Sequence, residues 1–459
     1  MRATIEYERK LDAPAGFTLP DLGGSPLETR PFTTVYYDTP SGSLAASGIT
    51  LRRRTEQGRA LWQLKLPSDD ARLELELEGA PARIPDKFVD LLFAHLRHGD
   101  LEKVAELRTR RRGELVARNG ATAEVTVDEV AVMDARRVRD RFVEVEIELR
   151  TGEPGYVDVL ANELSSVGAE PGSGVPKLFR ALGREPYEGR GETPFEKLRV
   201  RLRAQLREVE RHDPGTRLGL GPESLHDMRV AVRRLRALLR TGRPLLLTDS
   251  HELDPRLREL GAALGEVRDL DVLLHRLRLE TAELGAPDAA HAKSLLAVLS
   301  RERTNARRQL LTFLRSDAYL TLLDDVAAAI GSLEPSYAGP SLDDLSATAS
   351  KRLRKAVSAL PAEPGDVELH AVRKTVKRTR YAAELARRGK IVRRAKALQD
   401  VLGEHQDAVV ASHRLRELAT GASGERAIAA GRLIEREAEH RAAARAQWPR
   451  AWKSLRKAL

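Results

Sequence analysis

One basic pattern occurs twice in the C-terminal half of this chain, and the repetition constrains its fold more than any other feature. The first copy runs Leu225-His226-Asp227-Met228-Arg229-Val230-Ala231-Val232-Arg233-Arg234-Leu235-Arg236, the second Leu369-His370-Ala371-Val372-Arg373-Lys374-Thr375-Val376-Lys377-Arg378-Thr379-Arg380. At about 100° per residue, His226, Arg229, Arg233, Arg236 and Arg240 share an arc of roughly 80°, and His370, Arg373, Lys377 and Arg380 repeat it. Leu225, Met228, Val232, Leu235 and Leu239 fill the neighbouring sector, as do Leu369, Val372, Val376 and Ala383. Each copy therefore predicts an amphipathic helix with one buried stripe and one basic stripe. A second block recurs in the same order: Leu264-Gly265-Glu266-Val267-Arg268-Asp269 matches Leu402-Gly403-Glu404-His405-Gln406-Asp407. Such ordered recurrence marks a duplicated helical half.

Charge separates the two ends of the chain. Residues 1–190 hold 28 Lys and Arg against 32 Asp and Glu, whereas the remainder holds 50 against 36. The C-terminal part thus faces a polyanion. Proteins that grip single-stranded nucleic acid stack its bases on aromatic side chains. Aromatics are only 4% of this chain and none lies within the first basic stripe, so a ligand with charge and no bases fits better and nucleic acid is disfavoured. The chain contains no cysteine, so any metal must be held by oxygen or imidazole. There is no apolar run of membrane-spanning length, and the opening residues lack the apolar core of a signal peptide, so a soluble cytoplasmic protein is expected.

A Gly- and Pro-rich stretch at 183–194 divides two periodicities. Before it the period is two: Arg72-Leu73-Glu74-Leu75-Glu76-Leu77-Glu78, Glu124-Val125-Thr126-Val127-Asp128 and Glu144-Val145-Glu146-Ile147-Glu148-Leu149 alternate as strands do. Further strands are expected at 3–11, 32–38, 49–55, 60–66 and 105–112, with helices near 86–98 and 155–167. After the stretch the pattern is helical, broken chiefly at 332–340. The reading is an α+β multidomain chain: domain 1–185, linker 186–194, and helical domain 195–459 with halves of about 195–331 and 341–459.

Alternation places charges on one face of each strand without saying whether that face is wet or enclosed. Glu6, Glu8 and Lys10 share a face; so do Arg52 and Arg54, and so do Arg108, Arg110 and Arg112, with Lys65, Arg72, Glu74 and Glu76 on neighbouring strands. So many arginines opposite so many glutamates suit a closed barrel, where carboxylates hold a divalent cation and basic groups grip the phosphates it bridges.

Here the sequence resembles a known family. Glu6-Tyr7-Glu8-Arg9-Lys10 is similar to the Glu-x-Glu-x-Lys motif of CYTH domains, the triphosphate tunnel metalloenzymes. Tyr36-Tyr37-Asp38-Thr39, Leu51-Arg52-Arg53-Arg54, Trp62-Gln63-Leu64-Lys65, Glu144-Val145-Glu146 and Pro176-Lys177-Leu178 resemble that family's later landmarks in order. The resemblance implies an eight-stranded antiparallel β-barrel tunnel that processes triphosphate compounds with Mg²⁺ or Mn²⁺. It implies Glu6, Glu8, Glu144 and Glu146 as metal ligands, with Glu148 beside them. Lys10, Arg52, Arg54, Lys65, Arg72, Arg108, Arg110 and Lys177 would bind the triphosphate, and Glu74 or Glu76 would orient the attacking water.

The helical half resembles the CHAD domain through His226 and His370, the basic residues that follow each, and the two Leu-Gly-Glu blocks. That resemblance implies two pseudo-symmetric four-helix bundles around a basic groove, with inorganic polyphosphate as ligand. The matching positions are His226, Arg229, Arg233, Arg236 and Arg240 in one copy and His370, Arg373, Lys374, Lys377, Arg378 and Arg380 in the other. The histidines are open to three roles: phosphate contact, proton donation, or packing between the halves. The implied function is a metal-dependent triphosphatase joined to a polyphosphate-binding domain that could localise it to polyphosphate granules. A tunnel that binds without turnover is the alternative, and a cyclase acting on ATP ranks last because no residue pattern marks a base pocket.

Overall fold

The computed structural model describes residues 1–68, 71–78, 83–172, 191–247, 253–422 and 424–459. The chain divides into two compact units, Met1–Glu188 with Asp213–Leu218 and Gly189–His212 with Gly219–Leu459.

The strands of the first unit are β1 (Arg2–Glu6), β2 (Glu8–Ala13), β3 (Ser25–Asp38), β4 (Thr50–Glu56), β5 (Arg59–Ser68), β6 (Ala71–Glu78), β7 (Glu102–Arg118), β8 (Ala121–Asp134), β9 (Arg137–Thr151) and β10 (Glu170–Pro171). They form one antiparallel sheet in the order β1-β6-β5-β4-β3-β7-β8-β9-β2-β10. Only Tyr7 separates β1 from β2, and its carbonyl accepts a hydrogen bond from the Leu149 N–H at 2.9 Å. One continuous strand therefore pairs with β6 along its first half and with β9 along its second, which closes the sheet on itself. Counted that way the described residues give the expected eight barrel strands, and β10 is a short addition to β2.

Which face of the alternating strands points inward is decided by four short helices: α1 (Ser43–Ala46), α2 (Asp86–Leu91), α3 (Phe93–Leu96) and α4 (Gly155–Ser165). Leu44, Phe88, Leu91 and Leu92 pack on Leu51, Trp62, Leu64 and Leu75. Val157, Leu160 and Leu164 of α4 pack on Leu11, Val125, Val127, Val145 and Ile147. The apolar face is thus the outer one, covered by helices, and burial at about 25 cal/mol per Å² drives that arrangement. The charged face is turned inside. Asp38 anchors one of these helices: its carboxylate, fully buried, accepts the N–H groups of Thr39, Leu44 and Ala45 at 2.7 to 3.0 Å. Those bonds tie β3 to the start of α1.

Helix α5 (Pro194–Leu218) belongs to the second unit as far as His212, and that unit also contains α6 (Glu223–Gly242), α7 (Leu253–Ala282), α8 (Ala286–Leu314), α9 (Asp317–Gly331), α10 (Leu342–Ser358), α11 (Asp366–Leu385), α12 (Gly389–Ala419) and α13 (Gly424–Arg456). The duplication is visible in paired lengths, α6 and α11 having 20 residues each and α7 and α12 having 30 and 31. Among the described residues, α9 follows the four helices α5 to α8 of the first half and has no counterpart in the second. The halves also share a core: Leu273, Leu274 and Leu277 of α7 and Leu296 and Leu299 of α8 pack against Ala411 and Leu415 of α12 and Leu433 of α13. Trp448 and Trp452 pack on the separate cluster formed by α10 to α13. None of the described helices is long and apolar enough to cross a membrane.

A buried ion pair crosses the duplicated halves. Glu437 of α13, fully buried, accepts Arg276 Nε of α7 at 2.7 and 2.9 Å, and Arg276 Nη2 lies 2.8 Å from Glu404 of α12. Arg276→Gln leaves that carboxylate buried without its cation and should destabilise the protein by about 3 kcal/mol, read from the denaturant midpoint of the helical signal. The double variant R276Q/E437Q should recover part of the loss, because the uncompensated charge is then gone.

Candidate functional site

Inside the barrel, register sets acids and bases side by side. Lys10 opposes Glu146 across β2 and β9, Lys65 opposes Glu74 across β5 and β6, and Glu6 opposes Arg72 across β1 and β6. Lys10 Nζ lies 2.7 Å from Glu146 and 3.7 Å from both Glu8 and Glu144. Lys65 Nζ lies 2.5 Å from Glu6 and 3.6 Å from Glu74, while Arg72 Nε lies 3.2 Å from Glu8. Arg52 donates to Gln63 Oε1 at 2.9 Å, and Gln63 donates in turn to Glu76 at the same distance. Arg54 pairs with Glu56 at 2.5 Å and stacks over the Phe32 ring. Glu148 shares Arg150 with Glu124 farther along the same wall.

Crowding makes these carboxylates unequal. Burial, reinforced by the adjacent Glu74, lifts the Glu6 carboxyl to about 7 although Lys65 opposes the shift. Burial also opposes ionisation of Glu8, but Lys10, Lys65 and Arg72 outweigh it and hold that carboxyl at about 2. Desolvation raises Glu148. Two neighbouring carboxylates of one motif are thus driven in opposite directions by their surroundings.

The structure corrects one strand register. On β7 the inward arginine is Arg111, which donates to the fully buried Asp128 at 2.7 and 2.6 Å and also reaches Glu146. Arg108 and Arg110 lie on the opposite face, where with Glu129 and Arg141 they line an outer groove of about 830 Å³. Pairing decides this: Arg111 opposes Asp128 on β8, and parity then turns its neighbours outward. Lys177 lies outside the described residues. In the sequence Arg110, Arg111 and Arg112 offer competing registers; missed there were Asp128 and the Arg150–Glu124 pair, for which the alternation of Glu124, Thr126 and Asp128 was the signal available on β8.

The interior has the donor chemistry for a hard divalent cation, since every acidic group offers carboxylate oxygen. Among the described residues, however, no three acidic or histidine groups are already gathered as a ligand set. Instead the Lys10 ammonium sits where Glu8, Glu144 and Glu146 converge within 4 Å. The site is built for positive charge, and Lys10 supplies it here.

In the helical unit, α6 packs against α11 and brings the two basic stripes together. Burial and then Arg373, Arg233 and Arg229 push the Lys377 ammonium down to about 8. Burial likewise lowers Arg373, with Arg233 and Arg229 adding to the shift against Asp407. Its Nε is buried without a hydrogen-bond partner. Four cations therefore repel one another in one cleft. The glycine of each Leu-Gly-Glu block lies beneath an arginine of its own half: a Cβ at Gly265 would meet Arg229 at 3.5 Å and one at Gly403 would meet Arg373 at 3.7 Å, both ordinary contact distances. Arg229 is also paired with Asp269 at 2.7 Å.

Other predicted positions diverge from the cleft. Arg236 and Arg240 turn to Asp254, at 3.1 and 2.7 Å. Lys374 and Arg378 are exposed, and Arg380 pairs with Glu384 at 3.4 Å. His370 Nδ1 meets Gln406 Oε1 at 2.5 Å, while partial burial and the nearby Arg268 hold His226 below its ordinary value.

Comparison with known proteins adds two matches in the order that the residues implied. A family model described as the CYTH domain matches residues 4–179, and one described as the CHAD domain matches residues 200–416. The chain belongs to the CYTH–CHAD proteins. An uncharacterised protein of Mycobacterium tuberculosis is 31% identical to this CYTH–CHAD chain over 502 residues, covering 99% of it and 97% of the relative. Among solved structures, PptA from Streptomyces chartreusis is 26% identical with a TM-score of 0.50, covering 57% of this chain and all of its own. The CHAD domain from the plant Ricinus communis is 25% identical with a TM-score of 0.49, covering 60% of this chain and 97% of its own.

Proposed function

We propose that the CYTH barrel hydrolyses a phosphoanhydride bond of inorganic triphosphate or a related triphosphate compound, and that the CHAD unit binds inorganic polyphosphate. The observation that carries the first part is the enclosed wall on which Lys10, Arg52, Arg54, Lys65, Arg72 and Arg111 alternate with carboxylates. A triphosphate is a compact polyanion, and cations on several facing strands match it from more than one side. Glu6, Glu8, Glu144 and Glu146, with Glu148 beside them, would hold Mg²⁺ or Mn²⁺, which when bound polarises phosphoryl oxygens and offsets developing charge.

The chain's own groups then perform the remaining work. Arg52, Arg54, Lys65, Arg72 and Arg111 orient the phosphates and stabilise the diphosphate that leaves. Water adds to the terminal phosphorus as the bond to the bridging oxygen breaks, and its proton passes to a carboxylate. Glu74 suits that role better than Glu76, because Gln63 occupies Glu76 at 2.9 Å whereas Glu74 Oε1 is buried without a hydrogen-bond donor. Phosphate release from tripolyphosphate with Mg²⁺ or Mn²⁺ tests this reading. One observation favours the non-catalytic alternative, namely that Lys10 holds three acids together; tight binding of tripolyphosphate without release would establish it.

Polyphosphate binding by the helical unit is supported by the four crowded cations of α6 and α11, whose mutual repulsion a polyanion relieves. A pH dependence follows. Lys377 is charged below about 8 and neutral above it, so polyphosphate affinity should fall as pH rises from 7 to 9. Titration calorimetry at constant ionic strength reads this, and Lys377→Arg should flatten the profile, because a guanidinium stays charged throughout.

A further inference from the structure

Beyond the cleft, α5, α6, α11 and the start of α12 enclose a pocket of about 340 Å³. Three arginines line it, Arg201, Arg234 and Arg387, together with Tyr381, Gln205 and one acid, Glu384. That acid already faces Arg380 at 3.4 Å. Arg234 Nε is buried and lacks a hydrogen-bond partner, which is costly unless an acceptor arrives.

Arg387 adds an independent observation. Helix α11 ends in a Schellman motif, with Arg388 N–H donating to the Ala383 carbonyl at 2.8 Å and Arg387 N–H to that of Glu384 at 3.2 Å. The residue between helix and exit is left-handed, φ 55°, a conformation for which glycine is the usual choice. Here it is an arginine that lines the pocket. Among the described residues of the helical unit, no other residue except glycine has a positive φ. A backbone penalty kept at a pocket edge points to a use for the side chain.

Tyr381, which lines the pocket, ties it to the crowded cations. Arg233 Nε donates to the Tyr381 hydroxyl at 3.3 Å, and Arg233 is one of the cations that bear on Lys377 and Arg373. Arg234, in the pocket, follows Arg233 directly on α6, so the pocket and the crowded cations draw on adjacent residues of one helix. The terminal phosphate of a polyphosphate chain carries a second ionisation near pH 6, as any phosphomonoester-like group does, and so is more negative than an internal one. We propose that this pocket receives the dianionic terminal phosphate of the polyphosphate chain, so that the helical unit reads chain ends as well as chain length. The proposal rests on the polyphosphate reading of the cleft.

The test compares, on the full-length protein, one defined-length polyphosphate with free ends and the same length with both ends capped as neutral-amine phosphoramidates, which removes the second terminal charge. Free-ended chain should bind about tenfold more tightly, equivalent to roughly 1.4 kcal/mol. Arg234→Gln and Arg387→Gly should each bring the free-ended chain down to the affinity of the capped one. Arg387→Gly should also melt at an unchanged or higher temperature, since glycine suits the left-handed position, so a loss of preference there cannot come from unfolding. Arg373→Gln, in the cleft, should weaken both polymers and keep their ratio. Equal affinity of the two polymers for the unaltered protein, or a ratio that survives R234Q and R387G, overturns the chain-end pocket alone. Failure of both polymers to bind at low salt overturns the polyphosphate reading and this proposal together.

Discussion

Tripolyphosphate hydrolysis by the E6Q/E8Q variant should fall by at least about 100-fold, at saturating Mg²⁺ or Mn²⁺, while the barrel stays folded. The two glutamates flank Tyr7 at the point where one strand changes partners, and their carboxylates reach Lys65 and Arg72 from the two sides of that point. Glutamine keeps the shape and an oxygen but removes the charge that a divalent cation needs. Metal stabilisation of a phosphoryl transition state is worth several kcal/mol, and each 1.36 kcal/mol is a factor of ten. Loss of both charges also frees Lys65 and Arg72 to hold phosphate more tightly. The expected signature is therefore a fall in kcat with a KM that stays constant or drops, together with a metal requirement shifted to higher concentration. A change in KM alone would show that the two acids only shape the binding site, and unaltered turnover would remove them from the reaction.

The second large effect belongs to the cleft. R229Q/R233Q/R373Q/K377Q should lower the affinity for long-chain polyphosphate by at least about 1,000-fold, since four charge-assisted contacts of roughly 1.5 kcal/mol or more each are removed. Melting temperature should rise or hold, because the same four groups repel one another in the free protein. That opposite movement of binding and stability separates a receptor from a structural ion-pair network, whose loss would lower both. Hydrolysis of tripolyphosphate by the barrel is the control for intact protein. In the unaltered protein, affinity should decline steeply with salt, and RNA at matched phosphate concentration should compete poorly. RNA that binds as tightly as polyphosphate would reject the ligand assignment.

Much of both sites was legible from residue order. Strict alternation placed Glu6, Glu8 and Lys10 on one side of a strand, and likewise Arg52 with Arg54 and Glu144 with Glu146; the barrel keeps each set together on its inner wall. The duplicated His-x-x-Arg frame placed Arg229, Arg233, Arg373 and Lys377 at equivalent positions of two helices. The run Arg110-Arg111-Arg112 was not legible in this way. Three adjacent arginines carry no parity of their own, and only the partner strand, through Asp128 opposite Arg111, says which one points inward.

Local chemistry was enough to establish strand against helix, the repeat, and which charges travel together, because side-chain period and helical pitch are properties of neighbours along the chain. Inside against outside was settled elsewhere. It took Leu44, Phe88, Leu92 and Leu160 arriving from distant segments to cover the apolar face of the sheet and turn the charged face inward. It took the packing of α6 on α11 to set one repeat's cations against the other's, and the joint core of α7, α8, α12 and α13 to merge the halves into one unit. Burial and electrostatic crowding depend on what lies nearby in space, and no stretch of sequence carries that information by itself.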